Sequence, residues 1–222
     1  ALGITGQSFG LLQWLSLVLL SAVLLHIASQ ETASSLSPRT KAKRPWLQGM
    51  WVGGVFATAA MASTWGWLYV SMHRYGGLPS WLACLAVLAL AMALAVYFAV
   101  AGGAWVALYR TGFMAARKHE GRYATHAKSY LMWSEFNMAM AGAALFAALW
   151  TLAELARGQW LTGFPWGAGG YAHADSHLAA YAPWLGVYGI GALAALLAMG
   201  APMVWAVLVA HRTRMFCPRL PR

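Results

Sequence analysis

The sequence predicts an all-α protein, a polytopic bundle of about five transmembrane helices, and three observations lead to this prediction. Hydrophobic residue types make up 61% of the 222 residues and charged types only 9%, against about 25% charged residues in a soluble domain. Long stretches contain no Asp, Glu, Lys or Arg, and each can hold the ~20 apolar residues that cross a ~30 Å hydrocarbon core. The net charge of +10 falls almost entirely between these stretches. We therefore expect one transmembrane helical domain over residues 1–222 and no soluble domain.

The five spans follow in order from the gaps between charged residues. We expect them at about 9–28, 46–70, 81–108, 131–155 and 184–210. The first and third connections and the C-terminal tail are rich in Lys and Arg, whereas the second connection carries only Arg74 and the fourth only Arg157 with Asp175. Lys and Arg accumulate on the cytoplasmic side of membrane proteins. This alternation predicts an N-terminus outside and a C-terminus in the cytoplasm.

The same composition excludes several other classes of protein and site. Disordered chains need low hydrophobicity and high charge, and nucleic-acid binding needs basic residues gathered on one folded face. Two Cys cannot form a disulfide framework. His173, Asp175 and His177 share one loop without a Cys partner, so we do not expect them to bind zinc. We expect membrane lipids as partners, with no metal, no cofactor and no nucleic acid.

The fourth connection carries the most informative residues. Pro165 fixes φ and several glycines between residues 163 and 170 permit unusual backbone angles. Such backbone is tolerated at membrane depth only where protein or a watery cavity satisfies it. The loop is therefore either an aromatic belt at the bilayer interface or a shaped, lipid-facing floor beneath an active site. Its candidate lipid-facing residues are Phe164, Pro165, Trp166 and Tyr171.

The second connection repeats this pattern on the same side of the membrane. Its two adjacent glycines followed by Pro79 mark a tight turn. His73 is either an interfacial polar residue or a proton-transfer group, and Arg74 either pairs with a lipid phosphate or extends along the surface. The candidate lipid-facing residues here are Trp67, Tyr69, His73, Arg74 and Tyr75.

Glu154 and Arg157 are ionisable residues near the outer end of the fourth span. Intramembrane charges are costly and mark functional candidates. Because they are three residues apart, one helix face can hold both. They are either a structural pair that anchors the following loop or a pair that binds a lipid head group.

These residues stand in motifs that resemble a known family. The chain closely resembles the membrane region of apolipoprotein N-acyltransferases over about residues 6–214. The resemblance is carried by Trp67-Leu-Tyr-Val-Ser-Met-His73, Tyr75-Gly-Gly-Leu-Pro79, Glu154-Leu-Ala-Arg157-Gly, Leu161-Thr-Gly-Phe-Pro-Trp166, Gly170-Tyr171 and Ala182-Pro183-Trp-Leu-Gly186-Val-Tyr-Gly189.

The resemblance implies a specific reaction in the bacterial inner membrane. Members of that family transfer an acyl chain from a phospholipid to the α-amine of the N-terminal diacylglyceryl-cysteine of a lipoprotein. The acyl group is held meanwhile as a thioester on a Cys of a Glu-Lys-Cys set, in a nitrilase-like domain outside the membrane. The implied partners are a phospholipid acyl donor and a diacylglyceryl lipoprotein.

The departures from the family pattern concern the catalytic domain. No stretch of this chain is expected to form the nitrilase-like domain, and neither Cys84 nor Cys217 has a setting that would activate a thiol. We therefore expect the chain alone to be inactive, with the catalytic domain encoded separately or outside this sequence. Two alternatives remain open at this point: an inactive scaffold or lipid-binding remnant of the family, and, less favoured, a small transporter. A transporter would use Glu135, Glu154 and Arg157, but the internal repeats typical of such proteins are not found.

Overall fold

The computed structural model describes residues 7–30, 44–123, 128–160 and 163–216 of the chain. Within these ranges the protein is helical and contains no strand, which confirms the all-α prediction. A π-helical turn, Ser71–Tyr75, follows α3, and two 3₁₀ turns, Gly169–His173 and His177–Tyr181, precede α6. The α-helices in the described ranges are α1 (Gln7–Ser29), α2 (Pro45–Thr64), α3 (Gly66–Val70), α4 (Ser80–Tyr123), α5 (Lys128–Gln159) and α6 (Ala182–Phe216).

Four segments in the described ranges are long and apolar enough to cross a membrane. They are Gly10–Ser29, Ser80–Gly112, Trp133–Gln159 and His177–Arg212, with mean hydropathies of 2.1, 2.6, 1.6 and 2.2. The 20-residue helix α2 is not among them, because its glycines, hydroxyl residues and Gln48 lower its hydropathy. The membrane character is confirmed, whereas the count of five spans and the orientation of the ends stay predictions.

The second predicted span, 46–70, is divided in the structure. Helix α2 ends at Thr64, and α3 starts at Gly66. The hydroxyl groups of Ser63 and Thr64 both donate to the carbonyl of Ala60 at 2.8 Å, a back-bonding pattern that weakens or bends a helix. Trp65 lies between the two helices, with a backbone conformation (φ −93°, ψ 24°) outside the α-helical region.

The basic connection predicted between the third and fourth spans is largely helical. Helix α4 continues to Tyr123, well beyond the predicted end at residue 108, and α5 begins at Lys128 rather than at residue 131. Residues 113–123 are rich in Ala, Arg, Lys and Glu and contain no Pro. These residue types favour helix, so the charged residues extend the two spans instead of forming a loop.

Helices α2 and α4 run antiparallel in close contact along a line of glycines. A Cβ added to Gly102 would lie 2.6 Å from the carbonyl oxygen of Gly49, and one added to Gly53 would lie 2.7 Å from that of Phe98. Small residues allow helix backbones to approach closely in membranes, where packing rather than water exclusion drives helix association. This contact fixes α2 against the longest helix of the bundle.

The remaining helices complete the bundle around an aromatic core. Helix α4 packs on α5, α5 on α6, and α6 on α1. The buried indole of Trp105 in α4 donates to the carbonyl of Gly142 in α5 at 2.9 Å, and the rings of Phe146 and Trp150 stack at 5.4 Å. At one end of the bundle Arg110 donates to the carbonyls of Ala28 at 2.9 Å and Gln30 at 2.8 Å, which satisfies the C-terminus of α1. We name this the basic end, and the opposite end, with α3 and residues 163–181, the aromatic end.

Candidate functional site at the aromatic end

The backbone of residues 163–170, which follows α5 and includes the first two residues of the 3₁₀ turn Gly169–His173, forms the centre of the candidate site. Gly163 and Gly167 have positive φ angles of 72° and 77°, a region that favours glycine. The N–H of Phe164 donates to the carbonyl of Arg157 at 2.9 Å, which folds the loop back onto the end of α5. We name residues 163–170 the clasped loop.

Arg157 of α5 holds the first half of the clasped loop. Its Nη1 donates to the carbonyl of Phe164 at 2.6 Å and to that of Trp166 at 3.0 Å. The side chain is only 1% exposed, so as placed it contacts the loop backbone rather than an external head group. Irregular backbone in a membrane protein needs such internal donors, because lipid provides none.

Glu154 of α5 holds the second half of the loop. Its Oε1 accepts a hydrogen bond from the N–H of Gly169 at 2.9 Å, and the residue is buried. Glu154 lies one helical turn before Arg157, which places both on one face as their spacing predicts. Arg157 therefore binds two carbonyl groups of the loop, and Glu154 binds one backbone N–H.

Trp65, at the junction of α2 and α3, is a third support that the sequence did not indicate. Its indole Nε1 donates to the carbonyl of Trp166 at 3.2 Å, and its ring lies edge-to-face against Phe164 with centroids 4.8 Å apart. The carbonyl of Trp166 therefore accepts hydrogen bonds from both Arg157 and Trp65. The only sequence signal for this role was the pattern Trp65-Gly-Trp67, which does not show whether Trp65 is buried or exposed. We name Trp65, Glu154 and Arg157 the clasp.

A close backbone contact with α6 lies behind the loop. A Cβ on Gly170 would collide with the carbonyl oxygen of Val187. A Cβ on Gly191 would lie 3.3 Å from the N atom of Gly170 and 3.4 Å from Oε2 of Glu154. The loop and the carboxylate therefore lie close against α6, and at Gly170 the carbonyl of Val187 leaves no room for a Cβ.

The two connections at the aromatic end meet through exposed aromatic side chains. Trp67 of α3 and Trp166 of the clasped loop are edge-to-face, with centroids 6.1 Å apart, and are 44% and 61% exposed. Tyr171 and Tyr75 are also exposed. Large aromatic rings with a polar edge favour the bilayer interface. The arrangement presents aromatic surface on a loop whose backbone is hydrogen-bonded to the clasp.

The other candidates from the second connection lie along the π-helical turn. His73 stacks on Tyr69 with centroids 5.5 Å apart, and its Nδ1–H donates to the carbonyl of Leu78 at 2.7 Å. His73 therefore closes the turn, and Arg74 beside it is exposed. Of the predicted candidates in the clasped loop, Phe164 is half-buried against Trp65 and Pro165 is exposed.

His173 is another buried polar residue, and the sequence did not predict a structural role for it. It is 3% exposed, and burial lowers the pKa of its imidazole below the usual 6.5. Asp175 and His177 are exposed instead. Among the residues that the structure describes, no three His, Cys, Asp or Glu side chains gather as a metal site would require. Cys84 is exposed on α4, and Cys217 lies outside the described residues.

Comparison with known proteins gives a consistent family. The model of the apolipoprotein N-acyltransferase N-terminal domain matches residues 1–200. The apolipoprotein N-acyltransferase of Verminephrobacter eiseniae is 52% identical over 155 residues, 69% of this chain and 24% of that protein. Those of Pseudomonas putida and Pseudomonas syringae pv. tomato are 37% and 32% identical over 82% and 88% of this chain, and over 29% and 32% of their own lengths.

The chain thus spans about a quarter to a third of the length of these relatives. The matched model covers more than half of the chain and includes both connections of the aromatic end. The chain belongs to the apolipoprotein N-acyltransferase family.

Proposed function

We propose that this chain is the membrane portion of an apolipoprotein N-acyltransferase, which transfers an acyl chain from a phospholipid to the N-terminal diacylglyceryl-cysteine of bacterial lipoproteins. The proposal rests on one observation at the aromatic end. There the clasp is hydrogen-bonded to the backbone of the clasped loop, while the side chains of Trp67 and Trp166 are exposed on the surface. Family membership supplies the reaction, and the aromatic end supplies a surface suited to lipid substrates.

The physical demands of such a reaction favour this arrangement. Both substrates are lipids, so their reactive groups lie at the bilayer interface while their acyl chains stay in the hydrocarbon core. A surface that meets them needs aromatic side chains, which tolerate both environments. It also needs a backbone without unsatisfied polar groups, since each such group is costly in lipid. Arg157 and Glu154 meet that second demand for the clasped loop.

The remaining candidates take roles as neighbours of this surface. Tyr69 and His73 shape the π-helical turn, and Arg74, Tyr75 and Tyr171 extend the exposed rim toward lipid head groups. The acyl transfer itself needs a nucleophile and charge stabilisation, which we assign to a nitrilase-like domain beyond this chain. We place the protein in the bacterial inner membrane with several passes, its aromatic end outside and its basic end in the cytoplasm.

The proposal is tested in a bacterial strain depleted of its own N-acyltransferase. The natural protein that contains this sequence is expressed in full from its gene, and the N-terminal peptide of an abundant lipoprotein is analysed by mass spectrometry. We expect a gain in mass of one amide-linked acyl chain. If the lipoproteins keep a free α-amine although the protein is present in the membrane, it is instead an inactive scaffold or lipid-binding protein of the family.

A further inference from the structure

The first turn of α6 is separated from the rest of the helix by a bend at Gly186. This residue has φ 64° and ψ −178°, a backbone conformation that is essentially restricted to glycine. A Cβ on Gly186 would meet no atom of the described residues within 4 Å, so the conformation, and not a lack of space, favours glycine here. Helix α6 therefore consists of a first turn, residues 182–185, and a long helix that continues from residue 187. We name residues 182–185 the α6 turn.

The α6 turn is folded toward the helix that follows it. A Cβ on Gly189 would lie 2.6 Å from Cβ of Leu185 and 3.6 Å from its Cγ. In a continuous helix two Cβ atoms four residues apart are about 5–6 Å apart, so the bend brings Leu185 over Gly189. Gly186 therefore provides the bend, and Gly189 provides the room that the folded turn needs.

The bend lies directly beside the clasped loop. Val187 is the first residue after the bend, and its carbonyl oxygen would collide with a Cβ on Gly170. One turn further along α6, a Cβ on Gly191 would lie 3.3 Å from the N atom of Gly170. Helix α6 is thus in close contact with the loop where the α6 turn leaves it, so the bend sets the direction of that turn relative to the loop.

The α6 turn carries the large aromatic side chain of Trp184. This side chain is 86% exposed, more than those of Trp67 and Trp166. An indole that only anchors a protein in the bilayer interface needs no fixed direction, and any exposed position of a continuous helix provides one. Here a bend that favours glycine, followed by a second glycine, directs the turn that carries the indole. Fixed direction is a property of residues that bind a ligand, since it reduces the cost of binding.

We propose that Trp184 contacts the acyl chains of the diacylglyceryl lipids on which the protein acts, and that Gly186 is the positioning residue that directs it. The inference rests on the proposed function. An indole covers a large apolar area with few rotatable bonds and keeps a polar N–H for the interface. The phospholipid donor and the lipoprotein acceptor both carry acyl chains on glycerol, so this chemistry is common to the two substrates. Trp184 extends the lipid-binding surface of Trp67 and Trp166 to the α6 side of the clasped loop.

The first test measures acyl transfer by the natural protein, expressed in full, in mixed micelles. The mole fractions of phospholipid and diacylglyceryl lipopeptide are varied separately. We expect Trp184→Ala to raise KM about tenfold for at least one of these lipids while kcat stays within about twofold, the pattern of a lost binding contact. Trp184→Phe keeps an aromatic ring, so its KM values should stay within about threefold of wild type. The control is Trp205→Ala, which removes another exposed Trp of α6 and should leave both KM values unchanged.

The outcomes of this test identify the lipid. An increase in KM for the phospholipid alone assigns the contact to the donor, and an increase for the lipopeptide alone assigns it to the acceptor. Wild-type KM values for both lipids in Trp184→Ala would overturn the proposal.

The second test reports lipid contact at residue 184 without turnover. A photoreactive amino acid replaces Trp184, and the protein is irradiated in micelles with increasing mole fractions of labelled phospholipid or lipopeptide. We expect the crosslink from residue 184 to saturate for at least one lipid, whereas a crosslink from residue 205 should rise in proportion to the mole fraction. Gly186→Ala should lower the yield from residue 184 about fivefold, because alanine disfavours the bend. Gly189→Ala, which would displace Leu185, should also lower it, and Gly112→Ala in α4 is the control that should not.

These crosslinks also separate the proposal from the proposed function. A yield from residue 184 that rises in proportion for both lipids would show an ordinary interfacial Trp and overturn the proposal. An undiminished yield in both Gly186→Ala and Gly189→Ala would overturn the positioning role. If the wild-type protein transfers no acyl chain, the proposed function fails, and saturation of the crosslink still decides whether Trp184 binds a diacylglyceryl lipid.

Discussion

Arg157 is the residue on which the clasped loop depends most, because one nitrogen of its guanidinium group serves two carbonyls of that loop. Arg157→Gln removes the charge and shortens the reach of the side chain, which leaves the carbonyls of Phe164 and Trp166 short of donors. Removing one partner from a buried charged network costs about 3–5 kcal/mol. If about 3 kcal/mol of this free energy is lost from the stabilisation of the transition state, kcat/KM for acyl transfer falls at least about 100-fold.

Arg157→Lys provides a graded comparison for this prediction. A lysine ammonium is a compact charge and lacks the planar fork of arginine, so we expect only partial recovery of kcat/KM. Arg212→Gln, at an exposed position of the basic end, is the control and should change kcat/KM by less than about threefold. Activity of Arg157→Gln within the range of that control would show that the loop does not need the guanidinium group.

We predict that acid weakens the packing around His173 at the aromatic end. Burial lowers its pKa in the folded protein below the ordinary value of 6.5, so the unfolded state binds a proton more readily than the folded state. Its stabilising contribution is therefore present above about pH 6.5 and is lost as the pH falls through the folded-state pKa. We expect the melting temperature in nanodiscs to drop between about pH 7.5 and pH 5.

Substitution of His173 tests the origin of that pH dependence. His173→Asn removes the titrating group, so part of the acid sensitivity should disappear, whereas His177→Asn at an exposed position should leave it unchanged. If His173→Asn and the wild-type protein lose the same number of degrees on acidification, the sensitivity has another origin.

At the level of single residues, the sequence predicts those contacts whose partners are close along the chain. Three residues on a helix place Glu154 and Arg157 on one face in any protein. Trp65 was not foreseen, because it meets the carbonyl of Trp166 across 101 residues of sequence. Only the packing of α2 against the loop reveals whether such a side chain is a buried contact or lipid-facing surface.

At the scale of elements, the glycine contact between α2 and α4 supports a direct prediction. Gly102→Val would place a branched side chain against the backbone of α2 at Gly49, where a Cβ alone would lie 2.6 Å from a carbonyl oxygen. We expect a loss of about 1–3 kcal/mol, as for other overpacked sites, measured as a lower unfolding temperature in nanodiscs.

A matched substitution in the same helix should stabilise the protein instead of destabilising it. A Cβ on Gly112 of α4 would meet no atom within 4 Å, and alanine in a helix interior is favoured over glycine by about 0.5–1 kcal/mol. Gly112→Ala should therefore raise the unfolding temperature slightly. Equal effects of the two substitutions would argue against the close α2–α4 contact or against helical structure at residue 112.

The boundaries of elements were predicted less well than their existence. Hydropathy locates a helix by its membrane-spanning part, so the helical extension of α4 to Tyr123 could not be read from it. The break between α2 and α3 depends on Ser63 and Thr64 bonding to the backbone of their own helix. A window of about 19 residues averages over such local features.

At the scale of the whole molecule, the distribution of Lys and Arg predicts which end faces the cytoplasm. Single cysteines introduced at Gly77 and Pro165, in a protein whose natural Cys84 and Cys217 are replaced, should react with a membrane-impermeant thiol reagent added outside intact inner membranes. A cysteine at Arg44 should react only after the membrane is opened. External labelling at residue 44 would reverse the orientation, and labelling of residues 77 and 165 from opposite sides would show that α4 and α5 do not both cross.

We propose that the aromatic end meets the lipid substrates of the reaction, and photo-crosslinking tests this proposal. A photoreactive amino acid replaces Trp166 in the natural full-length protein, and membranes are irradiated with a labelled diacylglyceryl lipopeptide. The control position is Leu208, which is also exposed but lies toward the basic end. We predict a crosslink from residue 166 that unlabelled lipopeptide suppresses by competition, and none from residue 208. Equal crosslinking from both positions, or none from residue 166 in an active protein, would show that the lipopeptide does not bind at the aromatic end.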